Sequence, residues 1–167
     1  MNMLNSILYG GKEYEVKLIA YAGKATHIIF REDKFYIYIS NKSSGSKVLQ
    51  EALRQLRLWM IEKAEERIKR GAEEFGKSIG VTYNNIRIKD TKTRWGSCSS
   101  KGNLNFNFRI VMAPKAAMDY IIVHELCHLK HMNHSKEFWK TVEQHMPDYE
   151  TYKEWLKKNG LKLYTLW

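Results

Sequence analysis

His124-Glu125-Leu126-Cys127-His128 puts two imidazoles and a carboxylate within one short segment. That set can hold a divalent cation and move a proton beside it. On a helix, residues four apart lie on one face about one turn from each other, so His124 and His128 can reach the same ion. Glu125 projects beside that face, where it can take a proton from a metal-bound water and later protonate a leaving group. Zinc suits a nitrogen-rich site of this kind and lowers the pKa of its water to about 7. The pattern reads as hydrolysis at one Zn2+ ion.

Two residues compete to be the third ligand. On an unbroken helix, His131 would share nearly the same face as His124 but sit about 10 Å further along the axis, too far for one tetrahedral ion. If the chain turns back at Met132-Asn133, with Asn133 as a left-handed terminus and Ser135 capping the next helix, His134 faces the metal. His134 is therefore favoured, and Glu137 or Glu143 would be the carboxylate alternative. Cys127 lies near the metal face but reads more simply as a small buried residue. Cys98 in its turn is a weaker thought, a nucleophile paired with a histidine.

These groups need elements to position them. Pro114 opens the helix, and Met118, Ile121, Ile122, Leu126 and Leu129 give it an apolar face. Ser135 starts a helix carrying Phe138, Trp139 and Val142, and Pro147-Asp148 starts a final one that ends near Asn159-Gly160. Upstream, Ile86–Lys89 and Asn103–Phe108 alternate as strands, and the turn-rich Trp95–Gly102 suggests a hairpin. A stripe from Leu49 through Leu56, Met60, Ala64 and Ile68 to Ile79 marks a long helix over about 47–78, stopped by Gly80. Residues 1 to 40 alternate with period two around turns at Gly10-Gly11, Ala22-Gly23 and Glu32-Asp33, which predicts an antiparallel meander.

The 167 residues fit one metallohydrolase domain (1–167), divided into a β-rich part (1–45), the long helix (46–80) and a catalytic segment (81–167). Hydrophobic content of 44% can fill a core. Two cysteines outside any C-x-x-C pair argue against a disulfide framework. With no signal-like start at Met1–Tyr9 and no span of ~20 apolar residues, a soluble cytoplasmic protein is expected. The net charge of +10 is concentrated before the metal helix, where Arg87, Lys89, Lys92, Arg94, Lys101, Arg109 and Lys115 face only Asp90. Such a field favours an anionic substrate, whether nucleic acid, nucleotide or acidic peptide.

Arg94-Trp95-Gly96-Ser97-Cys98-Ser99, Gly102 to Asn107, Val123 to His128 and His134-Ser135-x-x-Phe138-Trp139 together resemble the YgjP-like metal-dependent hydrolases, which look like relatives of the SprT-like and WLM zinc metalloproteases. The resemblance implies an α+β, zincin-like core with the H-E-x-x-H helix, a long packing helix and an antiparallel sheet. It implies zinc held at His124, His128 and His134, with the base at Glu125. It further implies an edge strand that pairs with an extended peptide. Asn103 to Phe108, including Asn105, is the stretch proposed for that edge, with Trp95 and Ser97 at the rim. Arg94, Arg109 or His131 would steady developing oxyanion charge. No appended DNA- or partner-binding module is evident.

A zinc-dependent peptidase acting on extended or unfolded segments is the leading expectation. The alternative is a metal-dependent nucleotide phosphohydrolase (a nucleoside triphosphate pyrophosphatase) using the basic cluster, since Arg and Lys pair well with phosphate oxygens. Phosphohydrolases often use carboxylate-held magnesium, which three histidines fit poorly. A nucleic-acid-binding module with structural zinc is disfavoured by Glu125, because structural sites close their fourth position with Cys or His. Weak nucleic-acid association through the basic surface, and no membrane association, complete the expected partners.

Overall fold

The computed structural model describes residues 4–166; the part of the N-terminal reading that falls on Met1–Met3, and Trp167, lie outside the described residues. The elements are β1 (Ser6–Tyr9), β2 (Lys12–Tyr21), β3 (His27–Arg31), β4 (Lys34–Ser40), α1 (Ser46–Ile79), β5 (Asn85–Lys89), β6 (Gly96–Cys98), β7 (Asn103–Asn107), α2 (Lys115–Cys127), α3 (Lys136–His145) and α4 (Tyr149–Asn159). Short 3-10 turns at Phe108–Met112 and Gly160–Tyr164 precede α2 and follow α4. The architecture is α+β.

The two sheets correct the antiparallel expectation. The first has the order β1-β2-β4-β3, with β2 and β4 parallel. It is two hairpins laid side by side, not a meander. The second hairpin turns through Glu32 and Asp33, both at positive φ of 50° and 56°, the conformation a two-residue hairpin demands. The second sheet has the order β5-β7-β6, parallel on one side of β7 and antiparallel on the other. Period-two alternation reports which face of a strand is buried and is silent on the direction of its neighbour, so it does not distinguish this arrangement from a meander.

In α1, Ala52, Leu56, Met60, Ala64, Ile68 and Ala72 are fully buried at steps of four. Four residues turn about 400°, so the stripe advances about 40° per step and winds around the rod. Its N-terminal half therefore meets the first sheet, where Trp59 packs edge-on to Phe35 at 5.0 Å. Its C-terminal half packs on α2. The helix stops at Gly80, whose φ of 75° is left-handed. On its outer face Glu65 pairs with Lys69 and Glu73 with Lys77, each four residues apart, and Glu66 pairs with Lys63 at 2.9 Å. These pairs are exposed and contribute little to stability.

The turn between β1 and β2 is pinned to the approach of α2, with Gly10 N–H donating to Val111 O and Gly11 N–H to Met112 O. α2 is held between α1, α3, α4 and β6. Ile122, Val123, Leu126 and Cys127 are fully buried, so the helix is apolar nearly all round and its polar members stand out. No helix among the described residues is long and apolar enough to cross a membrane.

Candidate metal centre

The last turn of α2 carries His124 and Glu125, and His128 caps its end. The helix stops there, four residues before the expected break at Met132-Asn133. Leu129, Lys130 and His131 fold into tight turns, donating to the carbonyls of Leu126 and Cys127. Asn133 takes no left-handed conformation, since Glu32 and Asp33 are the positive-φ non-glycine residues among those described. The return is made by the turn and by Ser135, whose side chain accepts from Phe138 N–H at 3.2 Å and starts α3. His134, one residue earlier, thereby swings over the end of α2.

One potential ligand atom from each of His124, His128 and His134 lies within 4.8 Å of the others. His134 Nε2 and His124 Nε2 are 3.0 Å apart. Ligand nitrogens of a tetrahedral zinc stand about 3.3 Å apart, given Zn–N of ~2.0–2.1 Å, so the set fits such an ion with little adjustment. His128 Nδ1 is 3.0 Å from the His131 carbonyl, which orients the ring and leaves Nε2 for a metal. His131 contributes that carbonyl and not its ring: its Nε2 is turned to Thr141 Oγ1 on α3 at 3.2 Å. Glu137 and Glu143 are outside the cluster. Cys127 is also outside it, fully buried, with its thiol pushed up to about 11 by burial.

Phe138 is the floor beneath the imidazoles, fully buried, stacked on His128 at 4.5 Å and edge-on to His124 at 5.0 Å. His134 stacks on Trp139, Trp139 stacks on Tyr149, and Tyr149 stacks on Tyr120 of α2. Lys153 sits 4.5 Å from the Trp139 ring centroid. This column braces the most exposed of the three histidines. Burial, then the nearby His128 and His134, lower the His124 pKa to about 3, so its ring is neutral at physiological pH, the form that can bind a metal.

Glu125 is 5% exposed, and burial pushes its pKa up to about 8. Its carboxylate lies against β6, where a side chain at Gly96 would come 2.6 Å from Glu125 Oε1. Gly96 is thus required by close approach, a role its turn-like sequence context did not reveal. Cys98 on the same strand is half-buried, and burial and then Glu125 raise its thiol pKa, which suits a packed thiol better than a nucleophile.

The remaining expected substrate contacts divide into two groups. Asn105 Nδ2 donates to Ser97 Oγ at 3.1 Å, and both line a cavity with Arg94. Trp95 instead packs on Tyr164, 5.3 Å between rings, and lies over Gly160, tying the β6 approach to the C-terminal turn. Arg109 is 4% exposed, ion-paired to Asp90 and stacked between Phe108 and Tyr164. It braces the loop instead of reaching outward. The edge strand also moves: β7, holding Asn103 to Asn107, is paired on both sides, so β6 is the free edge beside Glu125.

Asn107 has a role that its residue type does not announce. It is 1% exposed, and its Nδ2 lies 2.7 Å from Thr91 O, 3.2 Å from Arg94 O and 2.9 Å from the Tyr164 hydroxyl. Its Oδ1 accepts from Arg109 N–H at 3.1 Å. One amide thus fixes the loop entering β6, and only its place at the end of an alternating run hinted at this.

No match is found among curated proteins. Among solved structures, the metallopeptidase zymogen of Pyrococcus abyssi abylysin is similar in fold, with a TM-score of 0.50 and 24% identity, covering 55% of this chain and 93% of that one. The metallopeptidase zymogen of Methanocaldococcus jannaschii jannalysin is similar at a TM-score of 0.49 and 26% identity, covering 55% and 88%. A family model described as YgjP-like, metallopeptidase domain, matches residues 1–159. The chain belongs to the YgjP-like metallopeptidase family and is a metal-dependent hydrolase of that kind.

Proposed function

We propose that the chain is a zinc-dependent metallopeptidase, working as one domain, that cleaves extended or unfolded peptide segments. The observation carrying this reading is the convergence of His124, His128 and His134 to within 4.8 Å, with the buried Glu125 beside them. His128, oriented by the His131 carbonyl, and His124, held between Phe138 and Tyr120, would hold the ion with His134. When bound, the ion supplies Lewis acidity and lowers the pKa of water to about 7. Glu125 accepts a proton from the attacking water and returns it to the leaving amine. Burial alone raises the Glu125 pKa, and a bound dication would draw it back down toward the range where the carboxylate both takes and returns a proton near neutral pH. The substrate backbone pairs along the free edge of β6, which presents the scissile carbonyl beside Glu125. Both cysteines are free, which fits a reducing, cytoplasmic compartment.

The nucleotide phosphohydrolase alternative draws on the basic residues near β6 and on nothing in the metal cluster, so the peptidase reading stands ahead of it. Zinc-loaded protein and a Glu125→Gln variant, offered unfolded protein and a nucleotide panel, test both. Hydrolysis of unfolded protein that the variant loses while keeping its metal is the expected result. Equal activity of the two proteins on every substrate would contradict the role given to Glu125.

A further inference from the structure

β6 is a thin wall with the metal centre on one side and an unassigned cavity on the other. That cavity, roughly 430 Å3, is lined by Lys89, Lys92, Arg94, Thr91, Thr93 and Ser97 among others, and no acidic residue lines it. Its charge is unanswered: among the described residues, Lys89, Lys92 and Arg94 have no ion-pair partner. The nearest acid in sequence, Asp90, is already paired with Arg57 and Arg109. Ser97 Oγ accepts from Asn105 Nδ2 at 3.1 Å, so these two neutral side chains engage each other and not the cations.

The wall has a defined pleat. Gly96 turns its missing side chain toward Glu125, while Ser97, the next residue, turns its own toward the cavity. A strand added to the free edge of β6 follows the same pleat, so its side chains alternate between the metal side and the cavity side. Side chains of one parity would meet Glu125 and the imidazoles. Those of the other parity would meet unpaired cations.

We propose that this cavity is a subsite for acidic side chains of the substrate, with Lys92 and Arg94 as specificity-determining residues. The inference rests on the peptidase reading and adds to it the chemical class of the preferred peptide. Carboxylates at alternate substrate positions exchange water for the basic lining, a contact that weakens with salt. Asn107 supports the subsite by holding the Arg94 and Thr91 carbonyls, which fixes the loop carrying Lys92 and Arg94.

Internally quenched peptides that differ only by Glu, Gln or Lys at successive positions around the cleaved bond provide the test. They are offered to the zinc-loaded full chain and to a Lys92→Glu/Arg94→Glu double variant. For the unaltered chain, kcat/KM for Glu over Lys should be about tenfold or more, at positions of one parity only, and should fall with added salt. In the double variant the ratio should invert. A ratio near one, a preference indifferent to parity, or one that survives charge reversal would overturn the subsite. Fluorescence anisotropy of the same peptides on Glu125→Gln protein, with and without the charge reversals, separates the two levels. Acid-selective binding lost on charge reversal, with no peptide cleaved, would sink the peptidase reading and keep the subsite. Binding of a nucleoside triphosphate in preference to every peptide would sink the subsite as drawn.

Discussion

Gly96 Cα and the Glu125 carboxylate are packed so closely that the smallest side chain at residue 96 would lie 2.6 Å from Oε1. The proposed base and the proposed substrate edge are therefore parts of one contact. Gly96→Ala must displace either the carboxylate or β6. We expect kcat/KM to fall about 100-fold, as a misplacement near 1 Å does, while metal content stays at the unaltered level. Full activity in Gly96→Ala would show that the contact does not position Glu125.

Asp90 ties the loop to the core through the buried Arg109. The hydrogen bond from Arg109 is the largest influence holding the Asp90 carboxyl below its ordinary range, against the opposing effect of burial. A depressed carboxyl contributes stability above its unfolded pKa and loses it as pH falls through the folded one. Asp90→Asn should therefore cost about 1–2 kcal/mol at pH 7, less than a fully buried pair because Asp90 is partly solvated. Thermal melts from pH 7 down to pH 3 should show the gap between the two proteins constant to about pH 4 and closing below it. A gap that persists at pH 3 would assign the loss to packing instead of charge.

Ser135 caps α3 and immediately follows His134. Ser135→Ala should remove about 1 kcal/mol of stability, read from the denaturant midpoint at unchanged slope. It should also weaken metal binding, because the cap sets where His134 leaves the turn. An unchanged midpoint and unchanged affinity would mean that the Trp139–Tyr149 column alone fixes His134.

Much of this was legible in the sequence because local periodicity carried it. The stripe from Leu49 to Ile79, the stop at Gly80 and the cap at Ser135 are local signals, and the structure has α1 and α3 where they fall. Strand direction was not legible, because the alternation in Lys12–Tyr21 and Lys34–Ser40 is the same beside a parallel or an antiparallel neighbour. The end of α2 was misplaced because Asn133 looked like a terminus, while the turn is made by Leu129 to His131 through backbone bonds that any residue can supply. Gly96, Asn107 and the His131 carbonyl escaped notice for a shared reason. Their roles come from neighbours 29, 57 and 3 residues away, made by a missing side chain, an ordinary amide and a peptide oxygen. Arg109 illustrates the reverse error: a cation in a basic run reads as a ligand group until its burial beside Asp90 is seen.

Metal stoichiometry in single alanine variants is the most direct test of the three-histidine centre. After zinc loading and removal of excess metal, the unaltered chain should retain one ion per molecule. His124→Ala, His128→Ala and His134→Ala should each lose it, at least 100-fold in affinity. His131→Ala should keep it, because His131 supports His128 through a backbone carbonyl that the substitution leaves in place. Loss of zinc in His131→Ala with retention in His134→Ala would contradict the centre described here.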